Sequence, residues 1–131
     1  MKLKNVRALT LLEIIIVVII VGILATMALP GFYKAQLRAR DKEADAMLKL
    51  MQQAQKVVHL EMNNYIECVS TTDCNTRLRL DLPTENWTFS VPHVTATDFC
   101  VQAVSLKSGS GTWHIGKSDN AVISGACPAP E

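Results

Sequence analysis

Six glycines and three histidines in 131 residues leave little from which to build a conventional active site. There is no G-x-S-x-G, no H-E-x-x-H and no glycine-rich phosphate loop, so the common hydrolase, metalloprotease and nucleotide-binding signatures are missing. The histidines, His59, His93 and His114, are scattered without ligand spacing, and no C-x-x-C pair exists to hold zinc. His93 follows Pro92 in an expected loop and His114 falls in an expected strand, where each reads as a surface or packing residue. No catalytic residue, cofactor site or metal site is expected. Ser118, Asp119 and Asn120 supply oxygens of the kind calcium takes, but three adjacent polar loop residues are commonplace.

Charge of one sign is also lacking. The formal net charge is +1, and Lys2, Lys4 and Arg7 supply three of the 13 basic residues. Without them the chain holds 10 basic against 12 acidic residues, with no basic patch of the kind that dominates nucleic-acid binding. DNA binding is neither indicated nor excluded by this balance. Internal repeats and long low-complexity runs are absent too.

What is present begins at the N terminus. Met1 to Ala8 contains no acid, and from Leu9 to Leu29 only Thr10, Glu13 and Thr26 carry polar side chains over 21 residues. About 20 helical residues at 1.5 Å each cross the roughly 30 Å hydrocarbon core, so this stretch can span a membrane once. Positive charge ahead of a first span holds that end in the cytoplasm and directs the remainder outward. Glu13 is then the anomaly. An ionisable group within a span is costly and marks a function or a partner.

Four cysteines, Cys68, Cys74, Cys100 and Cys127, in a small exported domain suggest disulfides formed in an oxidising compartment. Three pairings are open. Cys68 with Cys74, across a short loop of Ser70, Thr71, Thr72 and Asp73, and Cys100 with Cys127, tying a strand to the tail, are favoured.

Helical periodicity continues past the span. Ala44, Met47, Leu48, Met51, Ala54, Val58 and Met62 recur at spacings of three and four, with Asp41, Lys42, Glu43, Asp45, Lys49, Gln52, Gln53 and Lys56 on an expected solvated face. Mixed signs on that face also suit pairing with neighbouring subunits. Pro30 removes a hydrogen bond to the Thr26 carbonyl and Gly31 weakens the helix further, so a kink or local melting is expected there. One bent helix from about Leu9 to about Met62, roughly 80 Å long, is preferred over two helices separated at Leu29. Beyond Asn63 and Asn64 turn formers replace the helical stripe. Strands are expected at Trp87 to Val91, bounded by Pro83 and Pro92, at Phe99 to Leu106 and at Thr112 to Ile115, with a short edge from Ala121 to Ser124 and an extended tail through Pro128 and Pro130. Trp87, Phe89, Val101, Ala103 and Trp113 are the expected contacts with the helix. The fold class is α+β, a long bent N-terminal helix packed on a small antiparallel sheet.

Arg7, Ala8, Leu9, Thr10, Leu11, Leu12 and Glu13, with the apolar run from Ile14 to Ala25, resemble the class III signal and N-terminal helix of type IV pilins and pseudopilins. That pattern is a basic leader, a small residue before the cut, an apolar first mature residue, then Thr, two apolar residues and Glu. The resemblance is strong over about the first 30 residues and extends to the rest in layout alone. Ala8 stands where glycine is usual and Leu9 where phenylalanine or methionine is usual. The resemblance implies a leader at 1–8, a membrane and filament-core helix at 9–30, and a globular head at 31–131 that includes the rest of the helix. It further implies cleavage between Ala8 and Leu9 by a prepilin peptidase, N-methylation of Leu9, storage in the inner membrane, and extraction by an assembly platform into a helical homo-oligomeric filament. Glu13 would neutralise the N-terminal amine of an adjacent subunit, and Gly22, Pro30 and Gly31 would flank or soften a segment that melts. The product would be an extracellular pilus or, in the pseudopilin case, a periplasmic filament of a type II secretion or competence system.

Two other classes compete with this reading. An ordinary signal peptide cut after Ala28 would release a soluble domain, though Glu13 in its apolar region and the unbroken amphipathic helix that follows argue against it. A singly anchored enzyme or sensor would leave Glu13 without a role. Asn86, Trp87 and Thr88 form an N-x-T sequon, which by itself assigns no glycan.

Overall fold

The computed structural model describes residues 9–129, so the basic leader and the Ala8 side of the expected junction lie outside the described residues. The order is α1 (Leu11–Met62), α2 (Thr71–Leu78), β1 (Trp87–Val94), β2 (Phe99–Ser105), β3 (Thr112–Gly116) and β4 (Ile123–Ser124). The four strands form one antiparallel sheet in sequential order, giving the α+β layout of one long N-terminal helix and a small sheet. The described residues divide into two compact units, one that ends at Gln36 and one that starts at Leu37.

In the second unit, residues 37–62 of α1 meet the sheet through a stripe. Ala44, Leu48, Met51 and Val58 are buried in a core with Trp87, Phe89, Val91, Val101, Ala103 and Ile115. The spacing of three and four puts the helical residues on one face, and alternation in β1 and β2 puts the strand residues on the facing side. Trp113, expected among these contacts, is only partly buried against the cluster. Met62, expected in the stripe, is exposed because the helix ends there, with Asn63 in the left-handed region.

Three local expectations are corrected. Residues 71–78 form a helix rather than the expected loop. The Ser70 hydroxyl accepts from the Asp73 N–H at 3.2 Å, and the Asp73 carboxylate accepts from the Val69 N–H at 3.2 Å, a near relative of the capping box. Local capping thus fixes a helix too short to show a periodic stripe. Strand β1 does not stop at Pro92 but runs to Val94. Its register against β2 shifts between Ser90 and His93, so Pro92, which has no N–H to contribute to the ladder, sits in a bulge. Gln52, expected on the solvated face, is buried. Its amide donates to the carbonyls of Gly116 at 2.6 Å and Asp119 at 3.0 Å, tying α1 to the end of β3.

Gln55 closes a second tie of the same kind. Its Nε2 donates to the Ile66 carbonyl at 2.5 Å, and its Oε1 accepts the Ile66 N–H at 3.0 Å. The connecting segment is then stitched to the free side of β1, where Cys68 and Val91 exchange backbone hydrogen bonds and the buried Thr71 hydroxyl accepts from the Phe89 N–H. Cys68 is bonded to Cys74, and Cys100 to Cys127.

Candidate functional site

The candidate site is the first half of α1, where the sequence determines the geometry turn by turn. Thr10 precedes the helix, and its hydroxyl accepts the Glu13 N–H at 3.2 Å while its carbonyl accepts from Ile14. Thr10 is therefore the N-cap and Glu13 the third helical residue, the T-x-x-E arrangement in which a carboxylate faces the free N–H groups of the first turn. That position favours an anion, because the unpaired N–H groups give the helix start a partial positive charge. Glu13 is thus not at the centre of the apolar run but at the end where negative charge costs least. The capping role of Thr10 was legible in the T-x-x-E spacing.

From Leu9 to Gln36 every residue is exposed in the single chain. Leu11 retains 78% of its surface, Met27 77% and Leu29 65%. The helix is long and apolar enough to cross a membrane and no part of that segment is covered within the described residues. A helix apolar on all sides is stable only when lipid or other protein surrounds it. Glu13 lies in this uncovered surface, so whatever covers the helix must also meet a carboxylate.

The helix runs unbroken through Pro30 and Gly31, so the two-helix alternative does not hold. The turn before Pro30 is nevertheless weakened. Proline offers no N–H to the Thr26 carbonyl, and the Thr26 hydroxyl donates to the Ile23 carbonyl at 2.8 Å. At Gly22 and Gly31 an added Cβ would meet nothing within 4 Å. Packing among the described residues does not call for glycine at either position. Their consequence is a more pliable backbone or room for a neighbour.

The other candidate residues stand apart from this surface. His93 and His114 line an open cleft of about 670 Å³ at the end of the sheet with Asp98, Lys117 and Asp119. Three of its polar groups are engaged: the Asp119 carboxylate accepts the Gly116 N–H at 2.7 Å, Lys117 donates to the Thr97 carbonyl, and His114 Nδ1 lies 2.9 Å from the Gly125 carbonyl. Among the described residues no group of three or more His, Cys, Asp or Glu converges as a metal would require. In the sequon, the Asn86 amide donates to the Glu43 carboxylate at 3.1 Å and Trp87 is buried.

No model of a protein family matches the chain. It is 29% identical over 119 residues to the type IV wide pilus major component PilA4 of Thermus thermophilus, covering 91% of this chain and 87% of that protein. It is also 46% identical over 59 residues to the type IV major pilin protein PilA of Myxococcus xanthus, covering 45% of this chain. The match spans about a quarter of that relative's length, 27%.

Proposed function

We propose that the chain is a member of the type IV pilin family and a structural subunit of a type IV pilus, not an enzyme, a reading supported by its similarity to the two pilus proteins. The observation that carries this reading is the uncovered apolar half of α1 with Glu13 alone in its first turn. Lipid covers such a surface during storage and copies of the same helix cover it in a filament.

In this reading residues 1–8 are the leader, 9–30 the membrane and filament-core helix, and 31–131 the head with the rest of α1. Lys2, Lys4 and Arg7 hold the leader in the cytoplasm and the single-pass precursor waits in the inner membrane. A prepilin peptidase cuts between Ala8 and Leu9, and the new Leu9 amine is methylated, which leaves it cationic. An assembly platform then draws the subunit into a helical filament whose core excludes water and lipid headgroups. A carboxylate and an ammonium are each costly to bury alone and compatible as a pair. Glu13 therefore takes the Leu9 amine of a neighbour. Gly22, Pro30 and Gly31 allow the helix between them to loosen as the filament tightens. The Cys68–Cys74 and Cys100–Cys127 bonds brace a head that faces the medium.

The test is Glu13→Ala in the native host, followed by immunogold electron microscopy and membrane fractionation. The expected result is normal precursor in the membrane and at least a tenfold loss of labelled surface filaments. Normal filaments from the variant overturn the pairing. Label confined to periplasmic filaments in the unmodified strain assigns the chain to a pseudopilus instead.

A further inference from the structure

Arg79 ends α2 with φ 54° and ψ 47°, the left-handed region in which glycine is the usual residue and an arginine is strained. It is exposed and makes no ion pair among the described residues. No ion pair within the chain accounts for an arginine at this position. Arg79 lines an open groove of about 360 Å³ between α1 and the end of α2, whose apolar walls include Leu50, Val57, Met62 and Leu80. Val57 retains 54% of its surface. Glu61 also lines the groove and makes no ion pair among the described residues, whereas Arg77 is already held by Asp73 at 2.8 Å. A second uncovered patch lies at the far side of the sheet. Val101 and Ala103 are buried toward α1, so alternation along β2 turns the exposed Val104 away from it. Leu106, 57% exposed, lies beside Asn86, whose carbonyl accepts its N–H at 2.9 Å. Glu85 and Lys107, the neighbours of that bonded pair in sequence, are exposed and make no ion pair among the described residues.

We propose that this patch of one chain seats in the groove of another, an inference that rests on the filament reading above. Val104 and Leu106 meet the apolar walls, Glu85 meets Arg79, and Lys107 meets Glu61. The occupant is a second copy because each surface offers what the other lacks: exposed aliphatic side chains flanked by one unpaired cation and one unpaired anion. Both surfaces belong to the unit that starts at Leu37, so the contact does not depend on where the first half of α1 lies. The two surfaces are different, which makes the contact heterologous. Such a contact repeats in one direction and, where its rotation does not close a ring, builds a helical filament. Exposed ion pairs add little affinity one by one, so the apolar seat holds the copies together and the charges fix their orientation.

The test uses the full chain in its native host, with filaments scored by electron microscopy and precursor by immunoblot of membranes. Arg79→Glu and, separately, Glu85→Arg set like charges together at every contact and are each expected to lower filament yield at least tenfold with precursor retained. Combining the two is expected to restore it. Arg79→Gly separates the contact from folding, because glycine suits the left-handed position. It is expected to keep the precursor and lower filaments at least threefold. In a further measurement, a benzophenone amino acid replacing Leu106 is expected, on irradiation of filaments, to give a subunit dimer linked within α1 residues 50–62. Native filament yield from either reversal, no recovery on combining them, or loss of the precursor from Arg79→Gly overturns the contact. So does a crosslink to a different protein, or none. Failure of the unmodified chain to form filaments overturns the pilus reading itself, and is thereby distinguished from failure of the contact alone.

Discussion

Single residues carry the account at two places, the start of α1 and its buried flank. Thr10 and Glu13 were readable because a short polar spacing inside an apolar run has few interpretations, and the structure adds that Thr10 caps the helix that Glu13 opens. Gln52 was misread for a physical reason. Periodicity sorts residues by polarity, and a glutamine whose amide is satisfied by backbone carbonyls is indistinguishable in sequence from a solvated one. Gln52→Ala leaves the Gly116 and Asp119 carbonyls without that donor in a part-buried site. It is expected to lower stability by about 2 kcal/mol in denaturant unfolding of the detergent-solubilised chain, followed by Trp87 and Trp113 fluorescence. A change below about 0.5 kcal/mol would assign the tie no role.

Elements were legible in proportion to their length. The 52 residues of α1 give many turns over which a stripe repeats, and its end at Met62 agrees with the expected one. The eight residues of α2 give about two, and its three buried positions, Thr71, Cys74 and Leu78, do not stand out from turn-forming neighbours. Its signal lay in Ser70 and Asp73 instead. Ser70→Ala removes the cap and is expected to cost about 1 kcal/mol, read as a lower denaturation midpoint with the slope unchanged. Strand β1 was expected to end at Pro92 because proline ordinarily ends pairing. The bulge that accommodates it depends on β2 and on the Cys68 segment, whose contacts are set by tertiary structure.

At the scale of the whole molecule, the α+β layout followed from the position of one long helix ahead of several short strands. Cys100 and Cys127 close a loop of 27 residues between β2 and the tail, which is held further by the Cys127 N–H donating to Gln102 at 3.0 Å. Replacing both cysteines with serine is expected to destabilise the chain by about 3.5 kcal/mol on loop-closure entropy. The readout is a lower denaturation midpoint than the unmodified protein under non-reducing conditions, and an unchanged midpoint would deny the bond a stabilising role.

Glu13 has its proposed partner only if the chain is cut between Ala8 and Leu9. Intact-mass analysis of the subunit from sheared surface filaments tests this directly. The expected mass is that of residues 9–131 with two disulfides and one methyl group on Leu9. A subunit that retains residues 1–8, or one that begins after Ala28, would contradict the account.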